Sequence, residues 1–151
     1  MPHLAELLRV ARRLTLEPAS AEDLVQETML LAWRGFHRFE PGTNARAWLF
    51  RILFNAFYGD GRKARREAQA PLSEPSVRPR LQESMEISEA FDMLHIEQRT
   101  VLLLCVVEGF TCQEAAAILD VPIGTVMSRL SRGREGLRQI LKPFAKAMYN
   151  D

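Results

Sequence analysis

Two clusters of cations are equipped to hold a polyanion. Arg62, Lys63, Arg65 and Arg66 set four positive charges within five residues, with no acid among them. Further on, Arg129, Arg132, Arg134, Arg138 and Lys142 face only Glu135 between positions 129 and 142. The formal charge of the chain is only +1, so these are local stripes on a nearly neutral protein, a distribution suited to nucleic-acid contact. For the first cluster a solvated helix end, favoured by the helix dipole, fits equally well. Other chemistry is poorly served. Cys105 and Cys112 are the two cysteines, and His3, His37 and His95 lie far apart. Zinc-ligand spacing is therefore absent, and no metal is expected. No nucleophile, base and orienting group fall together, and no glycine-rich loop follows a strand, so neither an enzyme nor a bound cofactor is expected.

The elements that must carry these cations are helical. Apolar residues recur with helical spacing almost everywhere, and no stretch alternates with the two-residue period of a half-buried strand. The expected class is all-α, in two small helical domains joined by a linker. At 151 residues, 47% hydrophobic and 26% charged, the chain can fold as one or two domains. It has no apolar run long enough to span a bilayer. Met1 to Leu8 lack the pattern of a secretory signal, which makes a cytoplasmic location the expectation.

Leu4, Leu7, Leu8, Val10, Ala11 and Leu14 mark a first amphipathic helix, ended by the approach to Pro18. Ser20 is expected to cap a second helix, with Glu22 and Asp23 at its positive end and Leu24, Met29 or Leu30, Leu31 and Trp33 as its buried stripe. Phe36 to Asn44 contains proline, glycine and cap-type residues and reads as a loop. Helix resumes at Ala45, with Trp48, Leu49, Phe50, Ile52, Leu53, Phe54 and Phe57 mostly buried. Gly59 and Gly61 predict a frayed or kinked end, at about 1 kcal/mol each against alanine. Three prolines between Ala68 and Arg80 mark the linker. The expected division is 1–67, a linker at 68–83, and 84–151. Each half is small enough that its core alone is marginal, so mutual docking or a partner is expected.

The second half should open with a helix around Ser84 to Leu94 and an apolar one from Ile96 to Glu108, stopped by Gly109. Thr111 and Glu114 form a capping-box pattern before a short helix, Cys112 to Leu119. After the break Asp120 to Gly124, Thr125 opens a longer helix with Val126, Leu130, Leu137 and Leu141 turned inward. Short helix, tight turn and longer basic helix make a helix-turn-helix, whose second helix enters the major groove of DNA. Its outward residues are Thr125, Met127, Ser128, Arg129, Ser131 and Arg132, able to read base edges, with Arg134 and Arg138 on phosphates.

Taken together, these stretches resemble an RNA polymerase sigma factor of the extracytoplasmic-function (ECF) group, within the sigma-70 family. Ala21 to Thr28, continuing to Trp33, resembles the region 2 helix that docks on the clamp of the polymerase beta-prime subunit. Asn44 to Ile52 resembles the promoter-melting helix, and Val121 to Arg134 resembles the region 4 recognition helix, with Gln98 to Leu104 similar to the helix before it. The resemblance implies that Asp23, Leu24, Gln26, Glu27, Leu30 and Trp33 bind core polymerase. It also implies that Phe36, Phe39, Asn44 and Trp48, with Arg62, Lys63, Arg65 and Arg66, engage a melted minus-ten element. Stacking and edge hydrogen bonds would hold an unstacked base while the cations track phosphates. Trp48 reads equally well as a core residue. Region 4 would read the minus-thirty-five element through Thr125 to Arg138. The implied partners are core polymerase, promoter DNA and an anti-sigma factor, the chain being monomeric when free or a heterodimer with the inhibitor. Relatives usually begin with a further helix before Leu4, so part of region 2 is expected to be lacking. A freestanding helix-turn-helix regulator, or a decoy that mimics a sigma factor to bind its inhibitor, remain the alternatives.

Overall fold

The computed structural model describes residues 3–68 and 87–149, with side chains from 3 to 59 and from 89 to 142. All regular elements among them are helical. The linker expected from residue 68 lies, beyond Ala68, outside the described residues.

Helix α1 spans Leu4–Thr15 and buries Leu7, Val10, Ala11 and Leu14, one stripe at helical spacing. It ends on Leu16, a non-glycine residue in the left-handed region (φ 61°) whose N–H reaches back to Arg12 O. Helix α2, Pro18–Gly35, begins with proline at a first-turn position, where its missing N–H costs nothing. Ser20 is therefore not the cap. It lies inside the helix and its hydroxyl donates to Glu17 Oε2 at 3.0 Å, while Glu22 and Asp23 fall beyond the first turn.

The buried stripe of α2 also differs from expectation. Ala21, Leu24, Val25, Thr28 and Ala32 face inward; Leu30, Leu31 and Trp33 are exposed, Trp33 by 82%. Mostly small residues on the inner face let α2 lie close to both α1 and α3, which pack against it. Thr28 satisfies its hydroxyl on Leu24 O at 2.8 Å.

A 3-10 turn at Phe36–Arg38 and a bend at Gly42 (φ 90°) lead to α3, Ala45–Ala68. Asn44 caps α3: its Oδ1 accepts from Ala47 N at 3.1 Å. Leu49, Phe50, Leu53 and Phe54 are buried. The helix continues through Gly59 and Gly61 to Ala68; glycine lowers helix propensity without breaking a helix already held by its apolar turns.

In the second half α4 spans Ile87–Asp92, ending two residues short of Leu94, and positions 84–86 of the expected helix lie outside the described residues. Helix α5, Ile96–Leu102, runs into a π-turn, Leu103–Val107, instead of continuing as α-helix to Glu108. Glu108 N closes the wider ring on Leu103 O at 2.9 Å, and Gly109 (φ 77°) turns the chain so that Phe110 N reaches Leu104 O at 2.9 Å. Helix α6, Cys112–Leu119, carries the full capping box: Thr111 Oγ1 accepts from Glu114 N, and Glu114 Oε1 from Thr111 N, both at 3.0 Å. It stops at Asp120 in the left-handed region. Helix α7 spans Ile123–Tyr149 and opens two residues before Thr125, because Pro122 O accepts from Thr125 N and Val126 N. Val126 and Leu130 are buried, and Leu137 and Leu141 half-buried. Gly133 is buried too. A Cβ there would come within 2.9 Å of Leu102 Cδ1, so the absence of a side chain lets α7 lie close on α5.

Arg99 is buried where three helix ends meet. Nη1 donates to Asp92 O at 3.2 Å and Leu94 O at 3.5 Å, at the end of α4, and Nη2 donates to Leu14 O at 3.2 Å, near the end of α1. A cation placed on these carbonyls satisfies acceptors that have no partner within their own helices. Burial lowers its pKa from the ordinary value, opposed by the Asp92 carboxylate; arginine stays charged regardless.

Candidate nucleic-acid interface

The outward face of α7 gathers the predicted base readers. Thr125, Ser128, Arg129 and Arg132 line one side of a polar cleft of about 410 Å³, and His95, Glu97 and Gln98 line the other. Met127, Ser131 and Arg132 are exposed. Arg129 is half-buried with Nη2 3.7 Å from Glu97 Oε1, so it is drawn toward α5. Arg134 is exposed, and Arg138 pairs loosely with Glu135 at 3.5 Å, both groups well solvated. Sequence reasoning missed the α5 wall of this cleft, because the residues opposite α7 are some 30 positions away.

Around the Phe36–Asn44 loop lies a second, apolar groove of about 590 Å³ between α1, α2 and α3. Its lining includes Leu4, Met29, Trp33, Phe36, Phe39 and Trp48. Phe36 stacks on Phe39 with centroids 6.3 Å apart, and Phe39 tilts onto Trp48 at 5.1 Å. Trp48 is half-buried and faces this groove, so it serves both readings made of it. Asn44 does not join the aromatic set. It caps α3, and its Nδ2 donates to Glu114 Oε2 at 3.3 Å. The side chains of Arg62, Lys63, Arg65 and Arg66 lie outside the described residues.

The predicted polymerase-facing residues are displayed along α2. Asp23, Gln26, Glu27, Leu30 and Trp33 are exposed; Leu24 is buried and belongs to the core.

Between the two halves lies a polar seam that no local pattern announces. Glu108, whose side chain is 1% exposed, takes a fork from Arg9: Nε to Oε1 at 3.0 Å, and Nη2 to Oε1 at 2.8 Å and Oε2 at 3.0 Å. Arg46 Nη2 reaches Glu108 Oε2 at 2.8 Å and its backbone O at 2.6 Å, while Arg46 Nε donates to Glu6 at 3.1 Å. The Arg46 guanidinium lies 4.2 Å from the Phe110 ring centroid and 5.5 Å from that of Phe50, and these two rings meet edge-on. Tyr58 and Thr100 share a hydrogen bond of 2.7 Å, and Arg13 pairs with Asp92 at 3.3 Å.

Glu114 connects the capping box to this seam. The Thr111 backbone amide holds its carboxyl below the ordinary 4.5, opposed by burial and helped further by the Thr111 hydroxyl, Arg46 and Asn44. A carboxyl with a depressed folded pKa contributes stability above its unfolded pKa and loses it as pH falls through the folded value. Acid titration of wild type and Glu114→Gln should therefore converge below that range and separate above it, read as helical circular dichroism in urea. A constant gap across pH would remove the carboxylate from the account.

Cys105, half-buried in the π-turn, has its pKa pushed up to about 11, mainly by burial and further by the neighbouring Cys112 thiol, with Arg134 opposing. Two units above the ordinary 9.0 means about 100-fold less thiolate at pH 8. Alkylation by iodoacetamide, followed by mass spectrometry, should be about that much slower at Cys105 than at free cysteine. An ordinary rate would show that the turn opens. Among the described residues, no group of three histidine, cysteine or acidic side chains could hold a metal, and no helix is long and apolar enough to cross a membrane.

Fold and surface thus define a class: an all-helical protein with a helix-turn-helix at one end and, at the other, a three-helix unit bearing an aromatic groove. The Sigma-70 region 2 profile matches residues 1–67 and the Sigma-70 region 4 profile residues 84–137. The ECF RNA polymerase sigma factor EcfG of Rhodopseudomonas palustris is 42% identical over 129 residues, covering 80% of this chain and 71% of the relative. SigE of Mycolicibacterium smegmatis is 35% identical over 92% of this chain, which spans only 58% of that relative's length. The sigma factor RpoE of Bartonella quintana, solved with the anti-sigma factor NepR, superposes with a TM-score of 0.73 at 38% identity, over 92% of this chain and 91% of that one. CnrH, solved with the cytosolic domain of CnrY, gives 0.68 at 28% identity over 94% and 84%. The chain belongs to the ECF group of sigma-70 family RNA polymerase sigma factors.

Proposed function

We propose that this sigma factor directs core polymerase to its promoters through three faces of the one chain, Trp33 standing where the first borders the aromatic groove. The exposed face of α2, with Leu30 and Trp33 set among Asp23, Gln26 and Glu27, docks on the polymerase clamp. The outward face of α7 reads the minus-thirty-five element, and the aromatic groove of Phe36, Phe39 and Trp48 takes an unstacked base of the minus-ten element. Base-on-aromatic stacking contributes about 1–3 kcal/mol per base and tolerates any base. Asn44 adds edge hydrogen bonds once released from Glu114, and Arg62, Lys63, Arg65 and Arg66 follow the strand's phosphates. The residues 1–67 and 84–151 act as the two promoter-contacting domains. The protein has no catalytic role of its own and works in the cytoplasm, where the polymerase is. An anti-sigma factor restrains it, as NepR and CnrY are bound by the two similar solved chains.

The observation that carries this reading is Trp33. A large aromatic left 82% exposed on a helix whose inner face is already filled needs a partner surface. Runoff transcription with core polymerase and a small promoter library tests it. Promoter-dependent transcripts that vanish with Trp33→Ala are expected; failure of the wild-type chain to form a holoenzyme would sink the proposal.

A further inference from the structure

An anion stands inside the face that meets DNA. The cleft beside α7 sets Thr125, Ser128, Arg129 and Arg132 on one wall and the carboxylate of Glu97 on the other. A wall turned toward a polyanion is better served by cations or neutral donors, since a fixed carboxylate repels the phosphates of every sequence alike. Glu97 is held in that place. It lies in the first turn of α5, and its N–H donates to Nδ1 of the cap residue His95 at 3.3 Å. The next residue, Gln98, packs on α7 across Gly133 and Gly136, where the missing side chains let the two helices lie close. The walls of the cleft are thereby kept at one separation, and Glu97 Oε1 comes within 3.7 Å of Arg129 Nη2, the side chains being 34% and 28% exposed. A pair so far solvated adds little to stability. The helix dipole favours an acid in this turn, which accounts for the residue type but not for its reach across the cleft to Arg129.

Resting on the sigma-factor reading above, we infer that Glu97 is a positioning residue that sets promoter specificity: it holds Arg129 on the α5 wall and so withholds one cation from the phosphate backbone. Specificity is a difference of affinities, and weakening the wrong complexes raises it as surely as strengthening the right one. Phosphates recur on every duplex and carry no sequence information. A released Arg129 would find one on any DNA. On the cognate duplex the base contacts of Ser128 and Arg132 fix α7 at one depth in the groove, and a phosphate is reached only where that depth places it. On any other duplex those contacts fail, and the helix is free to shift until Arg129 meets a phosphate. Release therefore strengthens the wrong complexes more than the right one. The carboxylate acts in the same direction through its own repulsion, which only matched base contacts offset.

Holoenzyme binding to two duplexes tests this: the one bound best from a randomised minus-thirty-five library, and a scrambled copy of it, each over a range of salt concentrations. Glu97→Gln should bind the scrambled duplex at least about threefold more tightly, with a salt slope steeper by about one unit, and its preference for the selected duplex should fall at least about threefold. A residue that only supported α5 would do the reverse, weakening both duplexes with loss of helical circular dichroism. Combining Glu97→Gln with Arg129→Gln should return the slope on the scrambled duplex to the wild-type value, because the released cation is gone. Arg129→Gln alone checks the same point from the other partner. A slope that falls by about one unit in that variant would place the wild-type Arg129 on a phosphate already and overturn the inference. Unchanged binding by Glu97→Gln, equal weakening of both duplexes, or a steeper slope that survives in the double variant would overturn it too. A wild-type holoenzyme with no preference among the duplexes would overturn the underlying sigma reading instead, so the two failures are distinguishable.

Discussion

Leu102→Ala is expected to lower the unfolding free energy by about 2–5 kcal/mol, and it should reverse the sign of a second substitution, Gly133→Ala. Leu102 is 1% exposed on α5, and its truncation removes buried carbons and leaves a cavity that the helices around it fill only in part. Gly133 faces it from α7. A Cβ built there meets Leu102 Cδ1 at 2.9 Å and Cγ at 3.2 Å, with Gln98 Cβ at 3.4 Å. In the wild-type chain two effects oppose: alanine gains about 1 kcal/mol of helix propensity over glycine, and overpacking costs about 1–3 kcal/mol. The clash is larger, so Gly133→Ala should destabilise. In the Leu102→Ala background the two short contacts vanish and only the ordinary one to Gln98 remains, so the same substitution should stabilise by up to about 1 kcal/mol. Urea denaturation followed by circular dichroism measures all four chains of the cycle. A Gly133 effect of the same sign in both backgrounds would refute close packing of α5 on α7. The cycle bears on function because that packing sets the angle at which α7 leaves the protein.

The local features of this fold were legible in the sequence because their causes are local. Thr111 and Glu114 sit three residues apart and can only cap one helix start, and the structure has that capping box. The helix-turn-helix followed from it, missing the start of α7 by two residues because Pro122 serves as acceptor for the first turn. On α2 the sequence offers more apolar residues than one face can bury, and size misled. Leu30, Leu31 and Trp33 look like core, yet Ala21, Thr28 and Ala32 fill it, because close helix packing selects small residues and leaves the large ones for other surfaces. The π-turn at Leu103–Val107 has no signal in an unbroken apolar run. The seam was wholly illegible: Arg9 and Glu108 are 99 residues apart and Arg46 and Glu108 are 62 apart. Nothing in the type or spacing of an arginine names its carboxylate. Mutual docking of two marginal halves could be expected from their size, but not the residues that perform it.

Arg132→Ala should weaken binding of a minus-thirty-five duplex by about 1–3 kcal/mol, five- to 150-fold, with most of the loss confined to one base pair. The residue is exposed on the outward face of α7 beside Thr125 and Ser128, where the helix-turn-helix geometry points at base edges. Its neighbour Arg129 is less free, being half-buried and drawn toward Glu97. A guanidinium without a competing carboxylate can offer both donors to a guanine. Arg138 is the control. It lies further along the helix, and its pairing with Glu135 at 3.5 Å is solvated on both sides, so it competes weakly with a phosphate. Arg138→Ala should weaken every duplex alike and reduce the salt slope by about one unit, the signature of one lost phosphate contact. Fluorescence anisotropy of the holoenzyme on single-substituted duplexes at several salt concentrations separates the two roles. A uniform loss with a changed salt slope for Arg132→Ala would move that residue to the phosphates and leave base reading to Arg129, with Glu97 as its brace.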